Sequence, residues 1–224
     1  MVYRRRAVAA VMVLAVAGSA VAGCSAAAGR KPGPAAASSA ATTDLSVSCQ
    51  VRYPFSYIHF TMSQSVRVSA PARVATGGRY RVTGRELPWV VPKSEAGAVI
   101  SQLSDMTITF EVTGPVVVTA AAASGGSNLG GHPGAVSVRG NRVSLTVPGP
   151  LAAGSTATLP AVTTDITAHG RGTSGIYLAG TSYRDPGVTV TAAIPNPTQH
   201  KPPTSIGSTC YPVPAPELAS TRIS

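Results

Sequence analysis

The side chains with the most distinctive chemistry in this sequence are three thiols, at Cys24, Cys49 and Cys210. A cysteine can be lipidated, can pair in a disulfide or can bind a metal ion. Because the number is odd, one cysteine must have a fate that the other two do not share. Cys24 is set apart by its position, since it lies at the end of an apolar segment close to the start of the chain.

The segment before Cys24 reads as a secretory signal peptide over residues 1–23. Residues 4–6 are three arginines, and the apolar run AVAAVMVLAVA follows over residues 7–17. This run is shorter than the roughly 20 residues of a membrane-spanning helix. Its end, VAGC, resembles the lipobox of bacterial lipoproteins, and the resemblance implies cleavage before Cys24 and attachment of lipid to its sulfur. The alternative is ordinary cleavage after the AVA of residues 20–22, which would release a secreted protein.

The two remaining cysteines are expected to pair with each other. Export places Cys49 and Cys210 in an oxidising compartment, where an even pair of cysteines forms a disulfide. The bond would join the two ends of the folded region and, in the chain-entropy model, stabilise it by at most about 5 kcal/mol. The alternative is a pair of buried free thiols.

No other group of residues predicts a catalytic, metal or cofactor site. The four histidines are dispersed, and His59 and Met62 fall on opposite faces of one strand, which argues against a shared copper ion. The GRGTSG of residues 170–175 matches a dinucleotide fingerprint, but strand-like residues follow it where the motif needs a helix. The eight carboxylates leave a glycosidase-like envelope hydrolase as an alternative function.

Arginines supply most of the positive charge of the chain, whose net charge is +10 at pH 7. Loss of residues 1–23 removes three arginines and no acidic residue, so the mature net charge is +7. Arg67, Arg79 and Arg81 alternate with apolar residues in two strands, so all three should face water. Together they predict a surface that binds anionic envelope polymer or lipid headgroups, and export excludes nucleic acid as a partner.

The chain divides into a tether, a domain and a tail after the signal peptide. Residues 24–44 are almost wholly small and polar, which predicts a lipidated disordered tether. Residues 45–213 are long enough for one domain with one core, and residues 214–224 are expected to fray.

Alternating apolar residues recur through residues 45–213 and predict an all-β, antiparallel, immunoglobulin-like sandwich. Turn-forming glycine and proline residues separate these apolar segments, at the intervals expected between the strands of a sandwich. One short helix is expected over residues 94–103, with Ser94 as its N-cap. Trp89, between two prolines, is expected to plug one end of the core, with a sugar-stacking or membrane-touching platform as the alternative.

The stretch SCQ at residues 48–50, APARVATGGRYRV at residues 70–82 and TCYP at residues 209–212 resemble secreted β-sandwich proteins of actinobacteria that have no assigned activity. The resemblance implies a fold and no functional residues. The sequence therefore predicts a lipid-anchored protein on the outer face of the cell membrane that acts by binding or structure. No enzymatic activity and no cofactor are predicted, the oligomeric state is left open, and the further alternative is a carrier of lipid or another small ligand.

Overall fold

Strands account for most of the computed structural model, which describes residues 38–53, 56–196 and 202–224. In the first half of the chain they are β1 (Ser38–Tyr53), β2 (Ser56–Pro71), β3 (Arg73–Val74), β4 (Arg79–Glu86), β5 (Trp89–Val90), β6 (Ser94–Glu95), β7 (Ala98–Val99), β8 (Gln102–Thr113) and β9 (Val116–Ser124). In the second half they are β10 (Ala135–Arg139), β11 (Arg142–Val147), β12 (Leu151–Ala152), β13 (Thr156–Ala157), β14 (Ala161–Ala168), β15 (Gly172–Leu178), β16 (Val188–Ile194), β17 (Thr204–Pro212) and β18 (Glu217–Ile223).

Most of these strands belong to one continuous hydrogen-bonded order. The order is β3-β18-β15-β8-β16-β17-β1-β2-β4-β14-β9. Outside this order, β11 and β12 also pair with β8, and β10 pairs with β11. The pairs are antiparallel, except that β18 and β3 run parallel. The alternation of buried and exposed residues along β11 and β14 is the period of two that the sequence shows, since successive side chains point to opposite faces of a strand.

The two halves of this order face each other across one core. Val82 of β4 and Val162 of β14 line the same small cavity as Val112 of β8, Val143 of β11 and Ile176 of β15. Because β4 and β14 lie at one end of the order and β8, β11 and β15 lie in the other half, the two halves form the two layers of a sandwich. The predicted all-β sandwich is confirmed.

The predicted disulfide is present. Cys49 of β1 and Cys210 of β17 are directly opposite each other in neighbouring strands and are joined by a bond of 2.05 Å. Both residues are fully buried. The bond links the first strand to the penultimate one rather than to the last, because β18 follows β17.

The helix expected over residues 94–103 is wrong. This segment forms the hairpin β6–β7 and the start of β8. Ala96 and Gly97, at the turn, have φ angles of 48° and 81°, and a right-handed helix cannot contain such angles. Val99 is exposed whereas its neighbour Ile100 is buried, which is the alternation of a strand.

Two of the expected boundaries also differ. The first seven residues of β1 lie within the stretch 24–44 that was expected to be a disordered tether, and they pair with the second half of β2. The tail expected to fray over residues 214–224 contains β18, which pairs with β15 and buries Leu218 and Ile223 in the core. Residues 1–37, including Cys24, lie outside the described residues.

Among the described residues no helix is long and apolar enough to cross a membrane.

Candidate ligand-binding cleft and arginine surface

The floor of a cleft is built by five neighbouring strands, in the order β8-β16-β17-β1-β2. Each strand turns apolar side chains to the same face because of its two-residue period. The side chains that β2 contributes are Ile58, Phe60 and Met62, and Val190 of β16 and Ile206 of β17 continue the surface. The face on which the sequence placed Met62 is therefore the inner one.

A cover lies over this floor and is formed by residues 87–101, here called the cover segment. Its strand β5 pairs with β13, and Val91 exchanges backbone hydrogen bonds with residues 154 and 155 at 2.7 and 2.9 Å. The hairpin β6–β7 is closed by a bond from the Ile100 amide to the Lys93 carbonyl at 2.8 Å. Val91 and Ile100 are buried, and they fix the cover segment to the core at both ends of the hairpin.

Two cavities lie between the floor and the cover segment. The larger has a volume of about 260 Å³ and the smaller about 60 Å³. Both are lined by Met62, Pro92 and Glu95, so they are adjoining parts of one space, here called the cleft. Among the described residues that line the two cavities there is no lysine, arginine or histidine, and apolar side chains predominate.

Glu86 lines the larger cavity. Glu86 is directly opposite Val66 in the pairing of β4 with β2, and Val66 is only 1% exposed, so Glu86 points to the core side of the sheet. Burial raises the pKa of this carboxyl to about 7 because the ionised form loses its hydration. Within the described residues no hydrogen-bond donor or basic group pairs with it.

Trp89 also lines the larger cavity and packs against the buried core. The expected core plug is therefore confirmed in its packing, and the ring is at the same time part of the cleft wall. Its Nε1–H group is buried, and no partner for it lies within the described residues.

Glu86 is not among the site residues predicted from the sequence, although the alternation of side chains along β4 indicates its position. Tyr80 and Val82 alternate with the outward Arg79 and Arg81, and continuing the same period along β4 turns Glu86 inward and Arg85 outward.

The predicted arginine residues are all exposed, but the sheet does not bring them into one group. Arg67 of β2 is directly opposite Arg85 of β4, and neither has an acidic partner in the described part of the chain. Arg81 lies four residues before Arg85 in β4, which is a distance of roughly 13 Å along the strand. Its Nε atom is 2.8 Å from Asp165 Oδ1, so Asp165 neutralises Arg81. Arg79, two residues before Arg81, lies on the same face and is opposite Thr167.

The other polar groups in the described part of the chain are paired with one another or lie apart. His59 lies on the outer face of β2, where its Nδ1 atom is 3.0 Å from the hydroxyl of Tyr183, away from Met62. Arg142 is paired with Asp185 at 2.9 Å and with Glu111 at 3.5 Å, so these carboxylates are engaged. Within residues 38–53, 56–196 and 202–224 no group of three metal-binding side chains is present.

Glu86 and Glu95 both line the larger cavity, which bears on the alternative of an envelope hydrolase. A sugar presents hydroxyl groups around its ring, and a binding site for it needs several hydrogen-bonding partners. The walls of this cleft are mainly Val, Ile, Leu, Met and Phe side chains, so its chemistry favours an apolar occupant over a glycan.

No family model and no curated protein matches this chain. A crystal structure described as "Putative membrane anchored protein from Corynebacterium diphtheriae" is similar to it, with a TM-score of 0.53 and 16% sequence identity over 83% of this chain. The chain spans 38% of the length of that protein. At this identity the similarity shows a shared fold.

Proposed function

We propose that this protein binds a small, largely apolar ligand in the cleft between the cover segment and the sheet. The observation that carries the proposal is the larger cavity of about 260 Å³, whose mainly apolar walls include Glu86, a carboxyl group with no protein partner among the described residues. A concave apolar site with a few polar groups and a perturbed pKa is the usual form of a small-molecule site.

The size of the cleft suits a short alkyl chain. At about 30 Å³ for a group the size of a water molecule, the larger cavity has room for roughly nine such groups and the smaller one for two more. The two cavities adjoin at Met62, so an extended chain of about ten carbons can occupy both.

The test uses Trp89, the only tryptophan of the chain and part of the cleft wall. The full-length chain carrying Cys24→Ser, which has no acyl chain of its own at that position, is titrated with 1-decanol while tryptophan fluorescence is recorded. We expect a saturable change in the emission. The substitution Val188→Phe enlarges a cavity-lining side chain and should abolish that change, whereas Val138→Phe makes the same substitution at an exposed residue and should preserve it.

A wild-type emission that does not respond to 1-decanol, or an unchanged response in a folded Val188→Phe variant, would show that the cleft is not a binding site.

The location that we propose for this binding protein is the outer face of the cell membrane, with Cys24 as the lipidated first residue. The lipobox-like VAGC supports it, as does the disulfide, which fits an oxidising compartment. The printed description of the Corynebacterium protein as membrane anchored agrees with this location. Mass spectrometry of the mature protein should find a lipidated Cys24, and Cys24→Ala should move the protein out of the membrane fraction. A wild-type protein that is free in the medium and begins at another residue would contradict the anchor.

A second candidate function is binding to anionic envelope polymer or lipid headgroups through the exposed arginines. The observation in its favour is the directly opposed pair Arg67 and Arg85, because like charges in this position repel and a bound anion would relieve the repulsion. Guanidinium groups engage phosphate or carboxylate with two hydrogen bonds. Arg79 and Arg81 extend the same face, although Asp165 offsets the charge of Arg81.

Sedimentation with envelope preparations tests this second function. Binding should weaken as salt rises, because exposed charges are screened within about 10 Å at 0.1 M. The double variant Arg67→Glu with Arg85→Glu should bind less than the wild type. The control is the double variant Arg139→Glu with Arg171→Glu, which makes the same change of charge at exposed residues elsewhere. Equal losses in both double variants would show that net charge, rather than this pair, is responsible.

A further inference from the structure

The polar end of the ligand is constrained by the ionisable groups that line the cleft. Within the described part of the chain Glu86 and Glu95 are the two such groups, and both are acidic. The described residues of the floor strands contribute no charged side chain to either cavity. A ligand with a carboxylate or phosphate end would therefore meet acidic groups without any basic partner.

Glu86 is placed to receive a group of opposite charge. Its side chain points to the core side of the sheet, as that of the buried Val66 opposite it does, and Glu86 lines the larger cavity. The nearby Gln64 uses its amide group to donate a hydrogen bond to the Leu87 carbonyl at 3.1 Å, so that donor is already engaged. A carboxylate held in apolar surroundings without a partner is destabilised, and a bound cation supplies the missing interaction.

We propose that the ligand is an amphipathic amine, whose ammonium group binds to the Glu86 carboxylate and whose alkyl chain extends past Met62 into the smaller cavity. The inference rests on the proposed function of the cleft. The lining of the cleft supports this orientation, because Glu86 lines only the larger cavity, Glu95 lines both, and the smaller cavity continues with Ile58, Ile194 and Ile206.

The proton balance gives this proposal a definite pH dependence. The ammonium group binds the ionised form of Glu86, so a protein molecule that carries the proton must release it to solvent on binding. With a pKa of about 7, roughly a tenth of the carboxyl groups are ionised at pH 6 and roughly nine tenths at pH 8. The apparent affinity for the amine is proportional to the fraction of protein molecules in which Glu86 is ionised. This affinity should therefore rise about tenfold from pH 6 to pH 8. Glu95, on the cover segment, is the other titratable group that faces this space.

The experiment compares three probes with the same tail, decylammonium, 1-decanol and decanoate, by calorimetry on the full-length chain carrying Cys24→Ser. Decylammonium should bind at least tenfold more tightly than decanoate at pH 8, and its affinity should fall about tenfold at pH 6 while that of 1-decanol stays within twofold. Glu86→Gln, which keeps the size of the side chain, should remove both the preference and the pH dependence. Glu217→Gln makes the same chemical change at an exposed residue outside the cleft, and this matched control should keep both.

Three results would overturn the inference. They are decanoate binding as tightly as decylammonium, a decylammonium affinity that does not rise from pH 6 to pH 8 in the wild type, and a preference that survives Glu86→Gln or disappears in Glu217→Gln. The pH comparison needs no variant and so does not depend on the folding of either substituted chain. If none of the three probes binds, the proposed function itself is wrong, whereas equal binding of all three leaves the cleft function intact and removes only the amine.

Discussion

Replacing Glu86 by glutamine should change how the stability of the domain depends on pH. Burial raises the pKa of this carboxyl from 4.5 to about 7 in the folded protein. Between these values the folded chain holds a proton that the unfolded chain has released, so stability falls as the pH rises from about 4.5 and becomes constant above about 7. Glutamine does not titrate, so the variant lacks this loss.

The size of the effect follows from the same two pKa values. At about 1.4 kcal/mol per pKa unit, the displacement corresponds to at most about 3 kcal/mol. Glu86 is partly exposed at the end of β4, and solvent screening therefore reduces the expected value to between about 1 and 3 kcal/mol. The free energy of unfolding of Glu86→Gln, relative to the wild type, should increase by this amount between pH 4.5 and pH 8.

Urea denaturation followed by Trp89 fluorescence at pH 4.5, 6, 7 and 8 measures this difference. Glu217→Gln makes the same chemical change at an exposed residue and should follow the wild type within about 0.5 kcal/mol. If the curves for Glu86→Gln and the wild type also run parallel across this range, Glu86 is not held in a desolvated environment and the reasoning about the cleft is refuted.

Three further predictions concern the fold. Replacing Cys49 and Cys210 together by alanine should lower the free energy of unfolding by up to about 5 kcal/mol, since the bond closes a separation of 161 residues; a loss below about 1 kcal/mol in urea denaturation would contradict the entropic account. Leu218→Ala should lower the free energy of unfolding by about 2–5 kcal/mol, because Leu218 is buried in β18, and the melting temperature should fall with it. A frayed tail would leave the melting temperature unchanged. Arg81→Ala should leave the melting temperature nearly unchanged, because the pair with Asp165 is exposed to solvent, and a clear decrease would show a more important role for that pair.

Local periodicity accounts for what the sequence could predict. The alternation along β4 places Arg79 and Arg81 outward, and the two cysteines that remain once Cys24 is assigned to lipid are predicted to pair. Both inferences need only the residue types and their order. The same alternation, continued to the end of β4, would also have placed Glu86 on the inner face.

Long-range pairing accounts for what the sequence could not predict. The cover segment is not a helix because β5 pairs with β13, more than sixty residues further along the chain, and because Ala96 takes a left-handed conformation that its residue type does not favour. The opposition of Arg67 and Arg85 depends on the register between β2 and β4. The cleft itself exists only where the cover segment meets five strands drawn from three separate parts of the chain.

The most direct test of ligand binding in the cleft uses its two methionines. Outside residues 1–23 the chain contains only Met62 and Met106, and both line the larger cavity. In a sample of the Cys24→Ser chain labelled with ¹³C at the methionine methyl groups, addition of 1-decanol should shift the Met62 and Met106 resonances in a saturable way. Nuclear Overhauser effects should then connect both methyl groups to protons of the decanol chain. Resonances that stay in place at saturating 1-decanol would contradict the account, because a ligand cannot occupy this cavity without contacting them.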